Sequence, residues 1–74
     1  MKQKEIIECL VIKWKLANTS RKDALKNKEH TKEDNDKVAR FYAGQMTAYE
    51  ETIALILGKS WYDVFHTLSE TGTI

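Results

Sequence analysis

The stretch that decides the fold of this chain is residues 31–60, which read TKEDNDKVARFYAGQMTAYEETIALILGKS. Thr31 followed three positions later by Asp34 is typical of a helix N-terminus, where acidic side chains suit the positive end of the helix dipole. Gly58 stands where a left-handed C-cap is expected. Between these signals apolar residues recur at spacings of three and four, so we predict a helix over about residues 32–57.

The residues before this stretch predict another long helix, over about residues 2–28. Short polar side chains at residues 18–20 compete for backbone hydrogen bonds and mark its weak point, but one long helix is favoured over two. Its main apolar stripe has helical spacing and lacks the strict alternation of a strand. The stripe consists of Ile6, Ile7, Leu10, Trp14, Ala17, Ala24 and Leu25.

A third, short helix is predicted over about residues 60–69, because Ser60 followed by Asp63 is again a capping signal. Residues 70–74 read as a flexible tail. The two long segments match in length, at roughly 40 Å each, and a short polar turn joins them. The sequence therefore predicts one all-α domain over residues 1–69: an antiparallel hairpin of two long helices plus a short C-terminal helix.

Length and composition exclude several classes of protein. Seventy-four residues hold one domain and cannot build a large sheet or barrel. A single cysteine cannot form an internal disulfide, which favours a reducing compartment. The longest apolar runs fall far short of the ~20 residues of a membrane span, and the first residues do not resemble a signal peptide. We expect a cytoplasmic protein with no membrane partner.

Both long helices carry more apolar surface than one hairpin covers. On the second helix this surface spans about half of the circumference, whereas a single partner helix needs an arc of roughly 100°. On the first helix a separate stripe needs cover from either the third helix or another subunit. Because a hairpin this small gains little from one core, we predict a homo-oligomer such as a four-helix bundle. The predicted interface residues are Cys9, Ile12, Leu16, Phe41, Gly44 and Ala48.

Gly44 lies in the middle of the predicted second helix. A glycine there costs about 1 kcal/mol relative to alanine. We interpret it as a point of close helix–helix approach, with a ligand or partner chain against the backbone as the alternative.

The sequence contains no catalytic motif, neither a glycine-rich phosphate loop nor paired cysteines, so we expect no enzyme activity. Cys9 lies in an apolar stretch without an adjacent base, which predicts a buried structural thiol. Residues 34–36 resemble the start of a calcium loop, but the glycine required at its sixth position is Ala39. His30 and His66, with their acidic neighbours, could each supply two metal ligands but not a third. We therefore predict no metal and no cofactor.

Charge divides unevenly along the chain. Residues 1–28 hold eight basic and three acidic residues, a net +5, whereas residues 29–74 hold four basic and eight acidic residues, a net −4. Either the basic helix forms rim ion pairs with the acidic one, or it meets an anionic partner. Arg21 falls inside the apolar stripe, where it snorkels, pairs with an acid on the second helix or points into an inter-subunit pocket. The near-neutral total argues against general nucleic-acid binding.

A small phosphorylated ligand needs only a few cations and aromatic faces, which this chain offers. The candidate residues for binding a ligand or a partner are Trp14, Arg21, Lys22, Arg40, Tyr42, Tyr49, Trp61 and Tyr62.

The stretch ARFYAGQMTAYE, residues 39–50, resembles the second helix of small hairpin proteins encoded by phages of Gram-positive bacteria. Those proteins show an aromatic residue, a glycine two positions on and a following Ala-Tyr pair, with a Leu-Gly end like Leu57-Gly58. The resemblance implies a short phage or mobile-element protein that acts by binding. Some small helical phage proteins sequester the cyclic nucleotide signals of bacterial defence as oligomers, and others bind a host or defence protein directly.

Three functions follow from these observations. The leading hypothesis is a non-enzymatic oligomeric protein that binds a host or defence protein through its bundle surface, as a regulator or counter-defence protein. The alternative is an oligomeric sponge for small phosphorylated, cyclic nucleotides. A DNA-binding regulator ranks last, because the charge of the chain is nearly balanced.

Overall fold

The computed structural model describes residues 2–74 and contains three helices joined by two short connections. Helix α1 spans Gln3–Lys26, α2 spans Lys32–Leu57 and α3 spans Trp61–Thr71. No strand occurs between residues 2 and 74, so the predicted all-α class is confirmed. The molecule measures 42 × 22 × 18 Å. In the same described range, none of the helices is long and apolar enough to cross a membrane.

Helix α2 begins and ends where its capping residues predict. The Thr31 hydroxyl accepts a hydrogen bond of 3.1 Å from the Asp34 backbone N–H. At the other end Gly58 takes the left-handed conformation, with φ of 66°. A residue with a Cβ is strained in that conformation, so Gly58 turns the chain sharply toward α3.

Helix α1 runs without a break through residues 18–20, as the favoured prediction has it. The Asn18 side chain accepts a 2.9 Å hydrogen bond from Arg21 Nη2, one turn later on the same helix. The helix ends at Lys26, two residues before its predicted end. Asn27, the first residue of the connection, accepts two hydrogen bonds. Its side chain accepts from the Glu29 N–H at 2.9 Å, and its backbone carbonyl accepts from Asn35 Nδ2 at 2.6 Å.

Helix α3 also starts at its predicted cap, since Ser60 Oγ accepts from the Asp63 N–H at 3.2 Å. It continues to Thr71, two residues beyond the predicted end, because Gly72 with φ of 72° supplies the C-cap. Residues 70 and 71, predicted as part of a flexible tail, are therefore helical.

Hydrogen bonds at both ends of the hairpin hold α1 and α2 in antiparallel register. Gln3 Nε2 donates to the Ile56 carbonyl at 2.9 Å, which joins the start of α1 to the end of α2. The bond between Asn35 and Asn27 joins the opposite ends. Two long helices side by side with a shorter third helix packed on α2 complete the fold.

The core lies at the end of the hairpin that α3 covers. Val64 and Leu68 of α3 are almost completely buried and pack with Ile53 of α2 and with Val11 and Trp14 of α1. The short helix therefore covers the part of α2 around Ile53. Within residues 2–74, no third layer covers the other end of the hairpin.

A carboxylate lies inside this core. Glu50 of α2 is only 2% exposed, and its two oxygens each accept one indole N–H. Trp14 Nε1 of α1 donates to Oε2 at 2.7 Å, and Trp61 Nε1 of α3 donates to Oε1 at 3.0 Å. One side chain thus joins all three helices, an arrangement we call the Glu50 clasp.

Replacing Glu50 with alanine is expected to lower the free energy of unfolding by about 3 kcal/mol. The substitution removes two hydrogen bonds to a charged group and leaves the buried Trp14 N–H without an acceptor. Urea unfolding followed by tryptophan fluorescence measures this directly, because the only two tryptophans are the clasp donors. The control is Glu8→Ala, at an exposed position of α1, expected to change stability by no more than about 0.5 kcal/mol. Equal effects of the two substitutions would contradict the clasp.

Candidate functional site

A groove of about 480 Å³ lies between the three helices, beside the Glu50 clasp. We call it the three-helix groove. Its size falls within the range of small-molecule sites, roughly 300–1,000 Å³. Four of the predicted binding residues do not line it, but the other four do: Trp14, Arg21, Lys22 and Trp61.

One wall of the three-helix groove is aromatic. Trp61 and Phe65 lie one turn apart on α3 and stack with ring centroids 5.4 Å apart and an interplanar angle of 23°. Trp61 remains 41% exposed, so part of the indole is open to a ligand. Its N–H is already used by Glu50, which fixes the ring in place. The wall therefore offers an oriented surface for stacking against a flat ring.

The α1 side of the groove is basic. Arg21 is half-buried and Lys22 is exposed, and both line the groove. The guanidinium of Arg21 bonds Asn18 on its own helix and faces this groove. With Glu50 already bonded by two indoles, the three-helix groove combines one internal carboxylate with two cations near its α1 side.

The remaining predicted binding residues are dispersed over the molecule. Tyr42 lines a separate hollow beside the α1–α2 connection, together with Asp23 and Asn35. Arg40 lies on the exposed side of α2. The last two are aromatic: Tyr49 packs against the core and Tyr62 stands on α3 beside His66, with ring centroids 4.3 Å apart. The eight residues therefore do not form a single site within one chain.

Two residues central to the groove were absent from the sequence prediction. Glu50 could have been recognised because it lies within the apolar arc of α2, one turn after Met46 and three residues before Ile53. An acidic residue at such a position needs buried hydrogen-bond donors. Phe65 lies one turn after Trp61 in the sequence, but only the tertiary structure shows the two rings stacked beside the groove.

The outer face of α1, which we define as Cys9, Ile12 and Leu16, is exposed. Ile12 retains 58% and Leu16 64% of its accessible surface, so α3 does not cover them. Cys9 is exposed as well, and the prediction of a buried structural thiol is wrong. Helical spacing explains the difference, because Cys9 lies nearly opposite the buried Val11 around the helix.

The outer face of α2 consists of Phe41, Gly44, Ala48 and Leu55, and all four are exposed. Phe41 retains 62% and Leu55 83% of its surface. A Cβ added at Gly44 would have no atom within 4 Å. No other helix of the described chain therefore approaches Gly44, and the interpretation of this glycine as a close contact is wrong within one chain.

The ion pairs of residues 2–74 lie within single helices. Lys37 pairs with Glu33 on α2, and His66 with Glu70 on α3, each at 3.8 Å on the surface. The interpretation that basic α1 neutralises acidic α2 through rim pairs is therefore wrong for the described residues. The same range contains no group of three or more His, Cys, Asp or Glu residues placed to hold a metal ion.

Comparison with known proteins adds no relative. No family model matches the chain, and neither a curated protein nor a solved structure matches it.

Replacing Gly44 with alanine is expected to raise the free energy of unfolding of the single chain by about 1 kcal/mol, because alanine is the better helix former and the added methyl meets nothing. Chemical denaturation at the lowest usable protein concentration measures the gain. The reverse substitution at a matched site, Ala48→Gly, should lose a similar amount. A loss of stability at Gly44→Ala in dilute protein would contradict the open surface.

Proposed function

We propose that this protein is a non-enzymatic helical binding protein that works as a homo-oligomer and binds another protein through the outer face of α1. The observation that carries the proposal is the pair of large aliphatic side chains left exposed on that face, Ile12 and Leu16. They lie one turn apart, at the spacing at which a helix presents neighbouring anchors to a partner.

The charge around this face indicates what kind of protein it binds. Lys13 and Lys15 are exposed and flank the apolar pair on either side. Among residues 2–74 neither lysine takes part in an ion pair. A partner surface with an apolar centre and an acidic edge would match both features, since charge complementarity speeds association and rejects basic surfaces.

The biological setting is proposed from the resemblance of residues 39–50 to phage hairpin proteins. A small regulator or counter-defence protein that acts by occupying the surface of a host or defence protein needs no catalytic group. Its affinity would come from a few apolar anchors at the centre of the contact.

The double substitution Ile12→Ser/Leu16→Ser is expected to abolish partner capture, because it removes both anchors, and to leave the thermal midpoint nearly unchanged, because both side chains are exposed. Quantitative mass spectrometry of proteins crosslinked to immobilised wild type and variant measures the loss. Leu25→Ser, at another exposed apolar position of α1 that lies away from this face, is the matched control. A partner retained equally by the double variant would contradict the assignment to α1.

A second candidate function is favoured by the three-helix groove, which brings Arg21 and Lys22 close to the Trp61–Phe65 stack. A nucleotide would place its base on the aromatic wall and its phosphate near the two cations. Each subunit of an oligomer would offer one such groove, so the protein would sequester the signal.

Thermal shift assays against cyclic di- and trinucleotides test this second function. A ligand at 100 times its dissociation constant is expected to add about 2.7 kcal/mol of stability. Arg21→Ala should reduce the shift, whereas Lys26→Ala, at an exposed cation outside the groove, should not. If no nucleotide of the panel stabilises the protein, the protein-binding function alone stands.

A further inference from the structure

We propose that two copies of this chain pair through the outer face of α2, antiparallel, with a two-fold axis at Ala48. The inference rests on the homo-oligomer of the proposed function and deepens it, because it assigns the self-association to one helix and one register. It divides the six predicted interface residues: those on α2 serve self-association, and those on the outer face of α1 are left for another protein.

The spacing of the exposed apolar residues defines the register. Phe41 precedes Ala48 by seven residues and Leu55 follows it by seven, so the three lie in one row along the helix. A two-fold axis at Ala48 brings Phe41 of each copy level with Leu55 of the other. Each large exposed side chain of the row thus finds an apolar neighbour, as an isologous interface requires.

The residues nearest the axis are small. Ala48 lies on it, and one turn away the same operation brings Gly44 level with Thr52 of the second copy. All three positions are exposed in the single chain, and a Cβ at Gly44 would have open space around it. Small side chains at the crossing allow two helices to approach to the short end of the usual interaxial range, about 8 Å. Gly44, which has no neighbouring helix within one chain, would therefore face the second copy in the dimer.

Charges beside the row select the antiparallel orientation. Arg40 and Glu51 are exposed on the same flank of the row, on opposite sides of Ala48. An antiparallel two-fold brings equal flanks together, so Arg40 of one copy and Glu51 of the other lie about 7–8 Å apart along the helices, within reach of two long side chains, twice per dimer. In a parallel pair the charged flank of one copy would instead face the other flank of its partner copy, which carries the uncharged residues Gln45 and Thr52. Among residues 2–74 neither charged side chain has an ion-pair partner in the single chain.

The charges beside each apolar row indicate that the two outer faces bind different partners. The row on α2 is flanked by one base and one acid that complement each other under a two-fold, which suits a second copy. The row on α1 is flanked by Lys13 and Lys15, which suits an acidic partner of another kind.

Cysteine crosslinking tests the register. In a background of Cys9→Ser, the variant Ala48→Cys is expected to form a disulfide-linked dimer under mild oxidation. At an interaxial distance of about 8–9 Å the two Cα atoms at the axis lie roughly 4 Å apart, near the lower end of the disulfide range. The matched control is Thr52→Cys, one turn away and also exposed. Its two copies would lie about 12 Å apart along the helices, too far for a bridge.

Association strength provides an independent measurement. Phe41→Ser, which acts twice per dimer, is expected to raise the dissociation constant on the order of 100-fold in light scattering after size exclusion. Arg40→Glu alone should weaken the dimer, and Arg40→Glu combined with Glu51→Arg should restore it, because the exchanged pair is again complementary.

The outcomes separate the inference from the proposed function. Crosslinking at Ala48→Cys but not at Thr52→Cys, with weakening by Phe41→Ser, is the expected result. An oligomer that crosslinks through Leu16→Cys and is insensitive to Phe41→Ser would overturn the α2 pairing while leaving a homo-oligomer. A wild-type chain that stays monomeric at tens of micromolar would overturn both.

Discussion

The hydrogen bonds from two indoles to the Glu50 carboxylate are the constraint on which the rest of the structure depends. A carboxylate taken out of water costs several kcal/mol unless its oxygens are hydrogen-bonded. Here each oxygen has one N–H donor, one from α1 and one from α3. Satisfying the carboxylate therefore fixes both helices on α2. The hydrogen bond from Trp61 to Glu50 also orients the Trp61 ring. The aromatic wall of the three-helix groove is therefore a consequence of how the core is held together.

The position of the clasp also determines what stays exposed. Helix α3 has eleven residues and lies where Glu50 and Ile53 hold it, so it covers only one end of the hairpin. Phe41, on α2 beyond its reach, and Leu16, on the far side of α1, remain open to solvent. Residues 2–74 contain no further helix or strand that could cover these two side chains. Exposed apolar rows on two helices are the consequence, and such surfaces in small proteins commonly serve binding.

The fold was predictable from local signals, whereas the groove was not. Thr31, Gly58 and Ser60 act through bonds to residues at most a few positions away, so the sequence locates the helix ends well. Glu50 depends on two donors, 36 and 11 residues distant, which no local pattern connects. Cys9 was misplaced because its neighbours along the chain are apolar, although around the helix it lies opposite the core.

In the proposed arrangement self-association uses α2 and partner binding uses α1, so the two would not compete for one surface. If one apolar row served both, each partner molecule would have to displace a subunit, and the free energy of pairing would be subtracted from that of binding. The lysines beside Ile12 and Leu16 oppose pairing of two α1 faces, because equal charges would meet. A two-fold pair through α2 instead leaves two equivalent α1 faces on one particle. A partner that is itself oligomeric would then be held at both, and the second contact would form at the high effective concentration set by the first.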